Sequence, residues 1–262
     1  MTTSHVCVEM RNAVKWIWIN RPEVKNAINP AVADALREEV INAPENHGAR
    51  IIVIAGKGGA FCSGAELKII KGDSADSIRI QDQLENHYHP LICAMMESPL
   101  PVIAALSGAA VGIGCDLALA ADMRIAVENS FLAEVFVNIG LIPDGGGTFH
   151  LPRLVGLGRA FEMAMIGSRI YALQALEWGL VNRIVSEDDF DEEVQTFAEA
   201  LAVKAPLALT AMKRAMRSSL CDSLDNSLAR EAVLQQQLSE SNDFKEGVNA
   251  FMEKRSPCFK GK

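Results

Sequence analysis

The chain has 262 residues, 49% of them hydrophobic, enough to bury a sizeable core in one large or two small domains and too apolar for a disordered chain. Lys and Arg number 25 against 33 Asp and Glu, and the resulting charge of −8 argues against nucleic acid or an anionic membrane as the main partner. The six cysteines show no CxxC spacing and no uninterrupted apolar run reaches the ~18 residues of a membrane span, so reduced thiols are expected rather than disulfides, zinc or a transmembrane helix.

The opening residues, Met1 to His5, lack the basic and apolar regions of a secretory signal, and a cytoplasmic setting is expected. Val6 to Met10 and Val14 to Asn20 read as a hairpin around Arg11-Asn12. Asn29 then caps a helix with Pro30 at its first position and Val32, Leu36 and Val40 on one face. Arg50 to Ala55 is a short buried strand running into a glycine loop, Gly56 to Lys68, that leads into a helix. From Ser77 to Glu97 the apolar residues follow helical spacing until Pro99 and Pro101 stop it.

The next stretch organises the chain. Ile103 to Leu106 reads as a buried strand, the glycines at 108, 112 and 114 as a tight loop, and the apolar run to Ala121 as a buried helix. Met123 to Val127 is strand-like, and Phe131 to Ile142 runs into Pro143-Asp144-Gly145-Gly146-Gly147. Beyond this the pattern is helical apart from a strand over Leu180 to Val185. Helices are expected from Pro206, over 222–240 and over 243–255. No Gly, Ser or Pro-rich linker divides the chain, which therefore reads as one α/β core, 1–185, followed by a helical region, 186–262.

Several chemistries find no support in these residues. Gly112-Ile113-Gly114 lacks the third glycine of a dinucleotide fingerprint, no GxxxxGK[ST] occurs, and neither Ser63 nor Ser107 sits in GxSxG. His87 and His89 lie two apart on a helix and face different ways, so they read as a polar face and not a metal pair. Lys213, Arg214 and Arg217 read as a solvated face. Two glycine loops that end in free N–H groups remain, suited to the negative charge of a thioester enolate. One carboxylate then suffices to move the proton, and Asp144 is the candidate, with a turn or cap role as its alternative. Asp116, just inside the central helix, reads either as a dipole-compensating residue or as part of the pocket.

Asn20 to Asn29, Ala60 to Leu67, Gly108 to Asp122 and Ile139 to Thr148 together resemble the enoyl-CoA hydratase/isomerase, or crotonase, superfamily. Leu151 to Gly156, Glu177 to Val181 and Glu246 to Arg255 continue the resemblance in family order. It implies a spiral of ββα repeats with a helical C-terminal region that builds homotrimers, often paired into hexamers. It implies an acyl-CoA thioester substrate, with coenzyme A as part of the substrate and no resident cofactor or metal. By the same resemblance the N–H groups of Ala65 and Ile113 form an oxyanion hole. Val24, Lys25, Ala27 and the segment Ser63, Ala65, Glu66, Leu67 and Lys68 match the coenzyme A site, which Phe251 and Lys254 complete, often from a neighbouring subunit.

Hydratases of the family resemble one another in a pair of glutamates that clamp water. This chain has Asp116 at the first position and Phe136 at the second, with Glu134 two residues away. Asp144 matches the active aspartate of several isomerases. The resemblance thus implies double-bond isomerisation with Asp144 as acid/base and Asp116 as its assistant. Hydration by Asp116 with Glu134 or Asp144 is the alternative, and an RNA-binding or non-catalytic homologue is a remoter one.

Overall fold

The computed structural model describes residues 4–45, 48–66 and 79–262. Strands β1 (Val6–Arg11) and β2 (Val14–Ile19) form the expected antiparallel hairpin, with Asn12 at its turn in the left-handed region that Asn tolerates. A short 3-10 turn, Pro22–Val24, leads to α1 (Pro30–Ile41), whose first turn is closed by Asn29 Oδ1 accepting from Val32 N–H at 3.0 Å. Strand β3 (Ile51–Gly56) follows. The helix expected over 77–97 is seen from Ile80 as α2 (Ile80–Gln83), a π turn (Leu84–Tyr88) and α3 (His89–Glu97). A helix after the first glycine loop falls outside the described residues.

The central stretch differs from one tight glycine loop. After β4 (Val102–Leu106) only Ser107 and Gly108 turn, and Ala109–Val111 form a strand of their own, β5, before α4 (Ile113–Ala120). The reason is a neighbouring edge: Phe61 and Cys62 donate to Ala109 O, and Val111 N–H donates to Cys62 O at 2.9 Å. Gly108 is required there because a Cβ would lie 2.2 Å from Gly59 O. Next come β6 (Met123–Val127), β7 (Phe131–Ala133), α5 (Gly147–Ile166, broken at Gly156), β8 (Ile170–Tyr171), α6 (Ala172–Trp178) and β9 (Arg183–Val185). Four helices close the chain: α7 (Phe190–Ala202), α8 (Pro206–Ser219), α9 (Leu224–Ser239) and α10 (Asn242–Glu253).

One sheet has the order β1-β2-β3-β4-β6-β9, parallel except for β1, and a second has the order β5-β7-β8. The chain therefore coils. Strands β3, β4 and β6 stack in the first sheet, and the segments that come after them, Cys62, β5 and β7, stack in the second. Alternation splits the first sheet into two cores. Ile17, Ile19, Ile52, Ile54, Ala104 and Leu106 face α1, α3 and α4, while Trp16, Val53, Ile103 and Ile125 face α7.

Lys213 and Arg217 are not on a solvated face. Lys213 Nζ reaches Met95 O, Leu100 O and the Asp122 carboxylate, and Arg217 reaches Ala120 O and Asp122, so the two cations dock α8 onto the core and leave no basic stripe there. No helix among the described residues is long and apolar enough to cross a membrane.

Candidate active site

Stacking the coils brings into line the residues just past each second-layer strand. Ser63 to Ala65, Gly112 with Ile113, and Val135 with Phe136 meet at one end of the small sheet and wall a cavity of about 120 Å³. Leu84 and Tyr88 of the π turn close another side, with Ile139, Leu141 and Asp144 opposite.

The N–H of Ile113 is the first of α4 and has no acceptor within its own helix. Ala65 lies in a parallel bridge to Ile28 in which Gly64 O and Glu66 N–H make the hydrogen bonds, so Ala65 N–H is left over. Among the described residues neither N–H makes a hydrogen bond. Gly64, at φ +109°, and Gly112, at φ +56°, supply the left-handed turns that deliver these two groups, and Gly112 N–H is held by Ala133 O at 2.9 Å.

The segment expected to meet coenzyme A is laced to this wall. Ser63 N–H donates to Lys25 O and its hydroxyl to Val24 O at 3.1 Å. Arg21 donates to Ala27 O and pairs with Glu66 at 2.9 Å. Val24, Lys25, Ala27, Ser63, Ala65 and Glu66 are thus brought together, while Leu67 and Lys68 lie outside the described residues. Phe251 and Lys254 are not brought to this cavity within one chain. Phe251 is 82% exposed on α10, and Lys254 is its C-cap.

The carboxyl groups divide between the two sides of the cavity wall. Asp144 lines the cavity, and burial pushes its carboxyl up to about 6 against the opposing pull of His89. Asp116 is fully buried and turned away, with Oδ2 accepting from Gly145 N–H at 2.8 Å. Burial pushes it up to about 7, although the Gly145 hydrogen bond opposes the shift. Glu134, also fully buried, faces Asp116 and Cys115 without a well-formed hydrogen bond. Desolvation first and the Asp116 charge second raise its titration well above the usual range. Both carboxyls press on Gly147, where a Cβ would lie 2.5 Å from Asp116 Oδ1 and 3.1 Å from Glu134 Oε1. Tyr88 also faces the cavity, but burial pushes its phenol up to about 12, so it stays protonated.

The sequence placed Leu84 and Tyr88 in the apolar spacing of one helix and gave His89 no partner; the two pack on the core and also line the cavity. The signal it lacked is the extra residue in the turn that rotates them toward the cavity. His89 Nε2 lies 2.8 Å from Asp144 O.

A coil of stacked ββα units whose strand ends wall an apolar cavity, entered by two free main-chain N–H groups and one carboxyl, defines a crotonase-fold enzyme. The model of the enoyl-CoA hydratase/isomerase family matches residues 9–262, and the chain belongs to that family. It is similar to a probable enoyl-CoA hydratase of Rhodobacter capsulatus, 42% identical with 97% of each chain covered. It is also similar to the 1,2-epoxyphenylacetyl-CoA isomerase of Escherichia coli, 35% identical over 99% of this chain and 98% of that one. Among solved structures, an enoyl-CoA hydratase from Bacillus anthracis matches with a TM-score of 0.94 at 32% identity, covering 99% of this chain and all of that one. Family membership makes this chain an enzyme acting on an acyl-CoA thioester.

Proposed function

We propose that the enzyme isomerises the double bond of an enoyl-CoA thioester, 3-enoyl to 2-enoyl, with Asp144 as the single acid/base. The observation that carries this reading is that, among the described residues, Asp144 is the only cavity-lining side chain able to change protonation near neutral pH. The ionised carboxylate takes a proton from the carbon next to the thioester carbonyl, and the electron pair moves into a dienolate. The Ala65 and Ile113 N–H groups hold its oxygen. Asp144 then returns the same proton two carbons further on, so that nothing is consumed. A carboxyl of about 6 suits both halves of the shuttle. Phe136 and Leu141, on the cavity wall beside it, keep water from quenching the intermediate.

Val24, Lys25, Ala27, Ser63 and Glu66, together with Leu67 and Lys68, hold the coenzyme A part, and Phe251 and Lys254 complete it from a neighbouring subunit. The exposed apolar residues of α8 to α10, among them Met216, Leu224, Val233, Phe244 and Phe251, support a homotrimer or a hexamer of paired trimers.

Hydration is the second reading, because the R. capsulatus relative is named a probable hydratase and Asp116 and Glu134 form a carboxyl pair. Both are sealed behind the wall, and Phe136 occupies the side of the cavity where a second carboxylate would clamp water. The deciding assay mixes the protein with a 3-enoyl-CoA and, separately, a 2-enoyl-CoA. Rising conjugated-thioester absorbance without mass change, absent in Asp144→Asn, supports isomerisation. Falling absorbance with the mass of one added water sinks it.

A further inference from the structure

His89 and Asp116 grip the same peptide group. The carbonyl of Asp144 and the N–H of Gly145 belong to one planar amide, and they point in opposite directions because the amide is trans. His89 Nε2 stands 2.8 Å from the oxygen, and Asp116 Oδ2 stands 2.8 Å from the nitrogen. A carbonyl only accepts, so Nε2 carries the proton. The two partners come from distant parts of the chain, α3 and α4, on either side of the turn.

The helix lines this grip up with the cavity wall. In an unbroken α-helix residues 84 and 89 face different ways. The π turn steps by five residues, with His89 N–H donating to Leu84 O, and so it stacks His89 over Leu84, a cavity residue. On the other side Gly145 leaves Asp116 no slack, since a Cβ there would lie 2.7 Å from Asp116 Cβ and 2.2 Å from Ile113 Cδ1.

We propose that His89 and Asp116 are positioning residues that clamp the Asp144–Gly145 amide from its two ends and so aim the Asp144 carboxylate into the cavity. The inference rests on Asp144 being the acid/base. It assigns Asp116 a structural hold on the turn in place of proton transfer, and it gives the otherwise unused His89 a task. His89 also pulls the Asp144 carboxyl down against the push of burial. Tyr88 from the same helix, Asp116 from α4 and Glu134 after β7 are the other titratable groups that face Asp144.

The test compares His89→Ala, His89→Gln and Asp116→Asn with the parent enzyme. Turnover is measured on 3-hexenoyl-CoA, and the Asp144 carboxyl is titrated by carbon NMR, with its resonance identified by loss in Asp144→Asn. His89→Ala lowers kcat about tenfold with KM within twofold, since a misaimed group loses rate and not binding. His89→Gln, which keeps a donor near the Nε2 position, restores most of kcat. Both variants remove the pull of His89 on the Asp144 carboxyl, and both raise its midpoint. Asp116→Asn, which keeps an acceptor for Gly145 N–H, loses less than about threefold. A loss of 10²-fold or more there would mean that Asp116 moves protons. Unchanged kcat in His89→Ala, an unmoved midpoint, or a loss that glutamine does not rescue overturns the clamp. Full isomerase activity in Asp144→Asn would instead overturn the acid/base reading, and the NMR titration would still decide whether His89 acts on that residue.

Discussion

At the scale of single residues, the proposed chemistry turns on Asp144, whose carboxyl burial lifts to about 6. Asp144→Asn is expected to cut isomerisation by about 10³-fold, since the loss is one of proton transfer. The rate in the parent enzyme rises with pH through about 6, where Asp144 ionises, and then levels; a profile flat from 4.5 to 7.5 would contradict that assignment. Gly147 is a steric companion to this site. Gly147→Ala forces a methyl against Asp116 Oδ1 and Pro143, and a loss of about 2 kcal/mol in denaturant unfolding is expected together with impaired turnover.

At the scale of elements, the buried acid pair between α4 and the end of β7 makes stability depend on pH in an unusual direction. Asp116 and Asp144 titrate near 3.8 when unfolded and near 7 and 6 when folded, and Glu134 moves the same way. The folded state therefore holds more protons in this window. The stability this provides is present at the acid side and is lost as pH rises from about 4 to about 7. Glu134→Gln, which cannot ionise, should flatten that dependence and raise stability at pH 8 by about 1 kcal/mol in urea unfolding. The docking of α8 is the opposite kind of electrostatics. Asp122→Ala strips the partner from Lys213 and Arg217, and a cost of about 2–3 kcal/mol is expected, because a half-buried ammonium is left without its counter-ion.

At the scale of the whole molecule, the order of strands and helices was legible because it rests on local signals: the Asn29-Pro30 cap, the proline stop at 99–101 and the apolar runs of β3, β4 and β6. The strand β5 was not, since Ala109–Val111 becomes extended only by pairing with Cys62, far away in sequence. Of the site, Asp144 and the two N–H groups stand on the glycine loops where a reader looks first. Glu134 and His89 acquire meaning only from neighbours that the spiral brings to them. The charge of −8 faces a polyanionic substrate moiety, so binding of coenzyme A thioesters is expected to depend on local cations and to weaken when Lys254 is replaced. Light scattering should return a mass of three or six chains.

The π turn holds one residue more than the helix needs. Deleting Asn86, an exposed side chain on it that reaches no further than Asp82 O, would return the helix to its ordinary winding. Tyr88 and His89 stay where their partners hold them, while Ile80 and Gln83 swing by about 100° away from the cavity they now border. A single in-frame codon loss would thus reshape that side of the cavity without touching Asp144 or the two N–H groups. Lineages of this fold that differ at that one place are where altered chain preference should first be sought.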